Sequence, residues 1–379
     1  MHRQFHVAIL YGGESVEHKV SCRSASTVCE QLVKSGYTPI PIAISRHGRW
    51  SLHTNEITSS PIALTGDFIP AEEVVIRAGL GIFKLANGEK IQVDIAFPLA
   101  HGYGGEDGKV QGLLDMAHIP CIGCSVEASA NGMRKFTTKI LAGEISVPTL
   151  PAMVVERRKL HTLQGDQDPY MVQLVQEIHD RIGTKIVVKP EDGGSSIGVT
   201  VVSPVNEKTV WEALNEVAVL SQYIMIEPYL EHMQELEVAV VTEGNSISVS
   251  DPGMLIDPLK EQHKLVTYEQ KYLSDHCAFM QIPADVPTGI AQAVSSYALE
   301  LARIIGVEGY ARIDFFYLPE EKAIYFNEIN TIPGMTATSH FPKLAQSMGY
   351  DWPRLLSVLI EEGFDTYTRR TDRKTVAVE

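Results

Sequence analysis

Two short strings near the C-terminus constrain this chain most: Arg312-Ile313-Asp314 and Glu328-Ile329-Asn330. Each sets polar groups at i and i+2 inside otherwise apolar β-type sequence, and a period of two puts them on one face of a strand. Pro319-Glu320-Glu321 supplies turn chemistry between them, so the spacing predicts a hairpin. Residues directly opposite each other in an antiparallel pair share a face. Asp314 and Glu328 therefore meet only if the connection has an odd number of residues or the ladder carries a bulge. Two carboxylates and an amide oxygen on one face repel unless a hard cation lies between them, and Mg²⁺ takes such oxygens alongside those of phosphate. A solvated sheet face with polar residues at period two is the competing reading.

The chain has 379 residues, enough for two or three packed domains. Its 32 Lys and Arg against 47 Asp and Glu give a net charge of −15, without a long basic cluster, which argues against nucleic acid or anionic lipid as a partner. Such a protein can bind anionic small molecules only by gathering isolated lysines into one cleft. No stretch approaches the ~18 apolar residues of a membrane span. The start runs into a strand-like segment without a secretory core, so a cytoplasmic location is expected. Five cysteines, an odd number, fit reduced thiols. Cys121-Ile122-Gly123-Cys124 reads as buried thiols around a turn, since no second pair or nearby histidines complete a zinc site.

Strand-like runs at 6–11, 37–44 and 91–99, with helical spacing over 17–34, predict a small open α/β sheet ending near residue 122. Helical sequence over 129–142 leads to a proline-bearing strand at 147–155 and a polar, loop-like segment at 156–170. Strands at 185–190 and 197–202 flank Gly193-Gly194-Ser195-Ser196, and further β segments at 223–229, 236–242, 309–317 and 323–329 predict mostly antiparallel sheets.

The Gly193-Gly194-Ser195-Ser196 turn is suited to cradling phosphate, since glycines let backbone N–H groups approach anionic oxygens and serines add donors; a plain turn is the alternative. Lys189 ends the strand before it. Neither a P-loop string nor a dinucleotide fingerprint is present. Residues 99–108, with His101, form a glycine-rich loop at a strand end, where α/β sheets place ligand contacts. The Pro333-Gly334 turn beside Arg312 could offer a backbone N–H to an oxyanion. Residues 251–280 read as a long loop and a candidate lid.

These strings, together with Gly12-Gly13-Glu14-Ser15-Val16-Glu17 and Lys271-Tyr272-Leu273-Ser274-Asp275, resemble the D-alanine–D-alanine ligases of the ATP-grasp superfamily, in the family's order over almost the whole chain. The resemblance implies a three-domain α/β and α+β fold. It comprises an N-terminal open parallel sheet (1–122) and two domains with mostly antiparallel sheets (123–222 and 223–379) that clamp ATP. It implies ligation of two D-alanines through an acyl phosphate for peptidoglycan synthesis, by a homodimer using two Mg²⁺, with Mn²⁺ as a substitute.

Residue by residue, the resemblance has Glu17 hold the first ammonium, with Ser195 and Tyr272 completing a hydrogen-bonded chain. Lys135, Lys189 and Lys271 contact ATP phosphates. Glu227, Tyr229 and Leu230 take adenine, partly through their backbone, and Glu235 takes ribose. Asp314, Glu328 and Asn330 hold the metal. Arg312 and the Gly334 N–H stabilise the tetrahedral intermediate, His101 lies in the substrate site, and Ser339 with Lys271 takes the second carboxylate.

Two positions depart from the family pattern. Pro228 stands where a lysine is usual, removing a charge and a backbone donor. His340 stands where a leucine usually lines the second-substrate pocket, which keeps open a different ATP-grasp carboxylate–amine ligase with an acceptor such as D-serine. Tyr272 favours an amine over a hydroxy acid. A nucleotide-binding module without catalysis would not require Arg312 or a full metal set, and a protein kinase lacks its H-R-D and D-F-G strings.

Overall fold

The computed structural model describes residues 5–53, 64–194, 197–256 and 279–375. The chain opens with β1 (His6–Gly12), α1 (His18–Lys34), β2 (Thr38–Ile44), β3 (Trp50–Leu52), β4 (Val74–Arg77), β5 (Gly81–Lys84), β6 (Ile95–Pro98) and α2 (Lys109–Met116). The first sheet has the order β3-β2-β1-β6, with β1 parallel to both β2 and β6. β1 is apolar on both faces because it is covered on both, as parallel strands are. Ala25, Val28, Cys29 and Leu32, three to four residues apart, form the buried stripe of α1. The strand expected over 91–99 begins only at Ile95. Ile91 instead donates its N–H to the Ile82 carbonyl (2.9 Å), joining the β4–β5 ribbon.

The next elements are α3 (Val126–Met133), α4 (Lys135–Glu144), β7 (Met153–Glu156), α5 (Arg157–Leu160), α6 (Pro169–Arg181), β8 (Ile186–Pro190), β9 (Thr200–Val202), α7 (Glu207–Ala218) and β10 (Tyr223–Pro228). The helical stretch expected over 129–142 is two helices, broken where Arg134 takes an extended conformation. The strand expected from 147 shortens to Met153–Glu156, since Pro148 and Pro151 cannot donate to a ladder. The segment 156–170 expected as loop contains α5. The four strands form an antiparallel sheet in the order β7-β10-β8-β9. β10 belongs to this sheet, so the change of sheet falls between Pro228 and Gln234, whereas the expected division lies at 222.

The last part contains β11 (Gln234–Glu243), β12 (Ser246–Val249), β13 (Gly253–Ile256), β14 (Phe279–Gln281), α8 (Thr288–Ile305), β15 (Tyr310–Leu318), β16 (Ala323–Asn330), α9 (His340–Ser347) and α10 (Trp352–Thr375). Its sheet is antiparallel, in the order β14-β13-β11-β15-β16, with β12 beside β11. One face is apolar: Leu236, Val238, Ile313 and Phe315 join one core with Val294, Ala298 and Leu301 of α8. Period two then commits Glu235, Glu237, Arg312 and Asp314 to the opposite face. The expected long loop at 251–280 has strands at its ends, and Ile256 pairs with Phe279. α10 packs back onto the first sheet, where Phe364 meets Phe5 with ring centroids 5.0 Å apart.

In the β15–β16 hairpin, Leu318 to Phe315 pair regularly with Ala323 to Phe326; the register then shifts, and Asp314 pairs with Glu328 and Arg312 with Asn330. The connection, 319–322, has an even number of residues, so an uninterrupted ladder would turn Glu328 and Asn330 into the core. Asn327 bulges and restores the shared polar face.

Candidate active site

A cavity lies between the central and C-terminal antiparallel sheets. Lys189 of β8 and Glu227 of β10 line it with Tyr229 and Leu230, while Glu235 of β11, Asp314 of β15 and Glu328 of β16 face them. Lys135, at the start of α4, and the Gly193-Gly194 turn close one end. A small adjoining space is lined by Gly102, Glu106, Gly194, Glu328 and Asn330, so the cavity continues toward the N-terminal sheet.

Lysine charge is concentrated here by buried carboxylates. Glu227, only 2 % exposed, sits 2.6 Å from the Lys139 ammonium and pairs with Lys189 on its other oxygen. Burial alone would raise the Glu227 pKa, but the two lysines outweigh it and hold the carboxyl at about 2. Burial pushes Lys139 below the usual lysine value. Lys135 reaches Glu328 (3.0 Å) and the Gly193 carbonyl. Burial works against its charge, yet Glu328, Glu191 and Glu106 keep its pKa raised. Glu191 anchors α4: its side chain pairs with Arg134 and accepts the Phe136 N–H (3.1 Å), while its carbonyl accepts the Lys135 N–H (3.2 Å).

On the facing sheet, the Arg312 guanidinium donates two bonds of 2.8 Å to the Asp314 carboxylate, and its Nε is 2.9 Å from Glu237. Asn330 donates to Asp314 (3.0 Å). Burial pushes the Asp314 carboxyl up to about 6; Arg312 opposes this, and Glu237 and Glu328 add to it. Both Glu237 oxygens lie 3.0 Å from His340 Nδ1, so the imidazole is tethered to the carboxylate that holds Arg312.

The N-terminal sheet contributes Glu17 and His101. Glu17 is 8 % exposed and wedged between two glycines: a Cβ on Gly102 would lie 2.9 Å from its carboxylate, and one on Gly194 would lie 3.0 Å away. His101 is buried, with Nδ1 2.8 Å from the Ile332 carbonyl and Nε2 3.2 Å from Ser24 Oγ. Both ring nitrogens are thus engaged within the protein. Gly334 abuts Ser339, whose hydroxyl would be 2.9 Å from a Cβ there and is held by the Thr336 N–H (3.1 Å). The Tyr229 N–H is taken by the Lys185 carbonyl (3.0 Å), which narrows the backbone donors expected for adenine. Ser195, Lys271 and Tyr272 lie outside the described residues.

Residues 6–124 match the family model described as "D-ala D-ala ligase N-terminus", and residues 141–361 match "D-ala D-ala ligase C-terminus". The chain is 34 % identical over 367 residues to a D-alanine–D-alanine ligase of Chlorobium phaeovibrioides, covering 95 % of this chain and 97 % of that one. It is 34 % identical to D-alanine–D-alanine ligase A of Mesorhizobium japonicum, covering 98 % and 100 %. The chain belongs to the D-alanine–D-alanine ligase family. Among solved structures it is similar to the Coxiella burnetii D-alanine–D-alanine ligase, with a TM-score of 0.78 and 26 % identity over 98 % of this chain and 99 % of that one. It is also similar to the VanG D-Ala:D-Ser ligase of Enterococcus faecalis, at 0.76 and 25 % over 95 % and 100 %.

Three polar groups of this family member's cleft escape a reading by motif. Lys139 lies one helical turn after Lys135, so i, i+4 spacing on α4 was the available signal. Glu237 follows Glu235 at i+2 and pairs across the strands with Asp314, the same pattern as Arg312-Ile313-Asp314. Glu106 had no signal beyond its glycine-rich loop, because Ile332, whose N–H one of its oxygens accepts, is more than 200 residues away. Cys121 and Cys124 are free thiols, and burial pushes each pKa up to about 12.

Among the described residues no three His, Cys, Asp or Glu side chains form a metal-binding group. The donor set is two carboxylates, Asp314 and Glu328, with the Asn330 amide. That set suits a hard cation that completes its shell with phosphate oxygens and water, as Mg²⁺ does, better than a cation caged by protein alone.

Proposed function

We propose that this D-alanine–D-alanine ligase family member joins two D-alanines to D-alanyl-D-alanine at the expense of ATP, through a D-alanyl phosphate, for peptidoglycan precursor synthesis. One observation carries the reading: a cavity between two antiparallel sheets sets Lys135 and Lys189 against Asp314 and Glu328, with Arg312 beside them on the same sheet face. A carboxylate is a poor electrophile, so its oxygen first attacks the γ-phosphorus of ATP, the bond to the β–γ bridging oxygen breaks and ADP leaves, while the lysines offset the charge gathering on the phosphoryl oxygens. The amine of the second D-alanine then adds to the acyl carbon and phosphate leaves. Arg312 and the Gly334 N–H receive the developing oxyanion.

In this reading Glu17 takes the first ammonium, and the segment from Glu227 to Leu230 with Glu235 takes the nucleoside. Ser339 takes the second carboxylate. Asp314, Glu328 and Asn330 hold two Mg²⁺, or Mn²⁺ in their place. Bound Mg²⁺ supplies positive charge to the phosphate oxygens. Ser195, Tyr272 and Lys271 complete the set. We assign three domains, the first ending near 122 and the second ending between Pro228 and Gln234, because β10 lies in the second sheet. The enzyme works in the cytoplasm as a homodimer; among the described residues no helix is long and apolar enough to cross a membrane.

Incubating the protein with ATP, Mg²⁺ and D-alanine should release phosphate and yield a product of dipeptide mass. Absence of phosphate release sinks the proposal. A second reading, D-serine as acceptor, is favoured by His340, whose ring is fixed by Glu237 at 3.0 Å. Competition between D-alanine and D-serine, scored by product mass, decides between them.

A further inference from the structure

The segment that carries Gly334 is irregular, and Pro333 within it has no N–H to give. Its backbone on both sides of Pro333-Gly334 is gripped from the other end of the chain. Both backbone groups of Ile332 are taken by one N-terminal loop: Glu106 Oε1 accepts the N–H (2.9 Å), and His101 Nδ1 donates to the carbonyl (2.8 Å). Beyond Gly334, the Met335 N–H donates to Ser24 Oγ of α1 (3.2 Å). That hydroxyl lies 3.2 Å from His101 Nε2. A carbonyl can only accept, so His101 carries its proton on Nδ1, and Nε2 is left to accept from Ser24. Burial lowers the His101 pKa, in keeping with this neutral form.

The other Glu106 oxygen accepts the Gly102 N–H (2.7 Å), and Gly102 is the glycine against which the Glu17 carboxylate rests. One carboxylate thus ties the backbone beside the first-substrate anchor to the backbone two residues before the Gly334 amide. The loop that presents Glu106 is tightly folded. Its own N–H bonds the Gly102 carbonyl (2.9 Å), and Gln111 holds the Gly105 carbonyl (2.8 Å).

We propose that Glu106 is a positioning residue for the second chemical step, holding the Ile332–Met335 backbone, with Ser24 and His101, so that the Gly334 N–H meets the oxyanion. This rests on the assignment of Gly334 as an oxyanion donor made above. Glu106 touches no reacting atom; it acts through the backbone it holds. A misplacement of about 1 Å at such a donor costs on the order of 10²-fold in rate. Gln at this position keeps the shape, but one of its two arms becomes a donor and can no longer accept from an N–H.

The test compares wild type, Glu106→Gln and Ser24→Ala in the full chain, reading dipeptide formation, ATP affinity and amide hydrogen exchange. Glu106→Gln should lower kcat by about 10- to 100-fold while the ATP dissociation constant stays within twofold. Exchange over residues 331–336 should rise at least about tenfold, and that of β15 should not change. Ser24→Ala, a smaller change that keeps the test open if Glu106→Gln does not fold, should show the same exchange pattern with a lesser loss of turnover. Unchanged kcat or unchanged exchange over 331–336 in the folded variants overturns the proposal. If wild type makes no dipeptide, the functional reading falls instead, and the exchange result still decides whether Glu106 and Ser24 hold this segment.

Discussion

Glu328 lies directly opposite Asp314 across the β15–β16 hairpin, on the same face, because Asn327 bulges out of the ladder. Each carboxylate has a basic partner in the cleft: Lys135 pairs with Glu328, and Arg312 with Asp314. In the proposed function their common neighbour is Mg²⁺, which such a donor set suits.

On that proposal Glu328→Gln should lower turnover by about 10²-fold, since it removes a charged oxygen that would hold the cation offsetting phosphoryl charge. Mg²⁺ with ATP should raise the melting temperature of the wild type and should not raise that of the variant. Melting curves with and without Mg²⁺ and ATP, beside phosphate-release rates, check both.

Arg312 is held by two acidic partners, Glu237 and Asp314, so truncation has two consequences. Arg312→Ala removes the guanidinium from both carboxylates and should cost about 3–5 kcal/mol of stability as well as activity. Arg312→Lys keeps the charge but not the planar fork. It should retain the fold and ATP affinity yet lose about 10²-fold in kcat, seen in steady-state kinetics beside a denaturant titration.

Glu227 is the carboxylate between Lys139 and Lys189. Its pKa in the folded chain, about 2, lies below the ordinary 4.5, so its stabilising contribution is present above pH 4.5 and is lost as pH falls toward 2. Glu227→Gln should cost about 3–5 kcal/mol at pH 7, because two buried ammonium groups lose their common partner. The penalty should shrink as pH falls through that window, as urea titrations across pH 2–7 would show.

Gly105 and Gly104 are neighbours with different reasons to be glycine. A Cβ on Gly105 would lie 1.8 Å from the Ala100 carbonyl oxygen, a backbone atom that cannot swing away. Gly104 has open space but a φ of +84°. Gly105→Ala should cost about 3 kcal/mol and displace Glu106, whereas Gly104→Ala should cost about 1 kcal/mol from left-handed strain alone. Thermal unfolding ranks the two.

The period of two around Arg312-Ile313-Asp314 and Glu328-Ile329-Asn330 already contained the hairpin, its polar face and the condition of an odd connection or a bulge. Which alternative held was not legible: the even connection satisfies that condition only because Asn327 leaves the ladder. The helix at 17–34 and the strands at 6–11 and 223–229 were legible because each buries one face or two, and burial fixes periodicity. The break at Arg134 and the late start of β6 follow from local backbone choices that hydrophobic pattern does not encode.

The amino-acid sequence by itself determined the order of the motifs, the lysines gathered in an acidic chain and the family to which it belongs. Those signals are local, or recur in fixed order along the chain. Only the tertiary structure decided that Glu227 is shared by Lys139 and Lys189, that Glu237 holds both Arg312 and His340, and that Glu106 and His101 grip Ile332 from the far end of the chain. Each is a bond between groups remote in sequence, whose energy depends on distance and burial that folding alone sets.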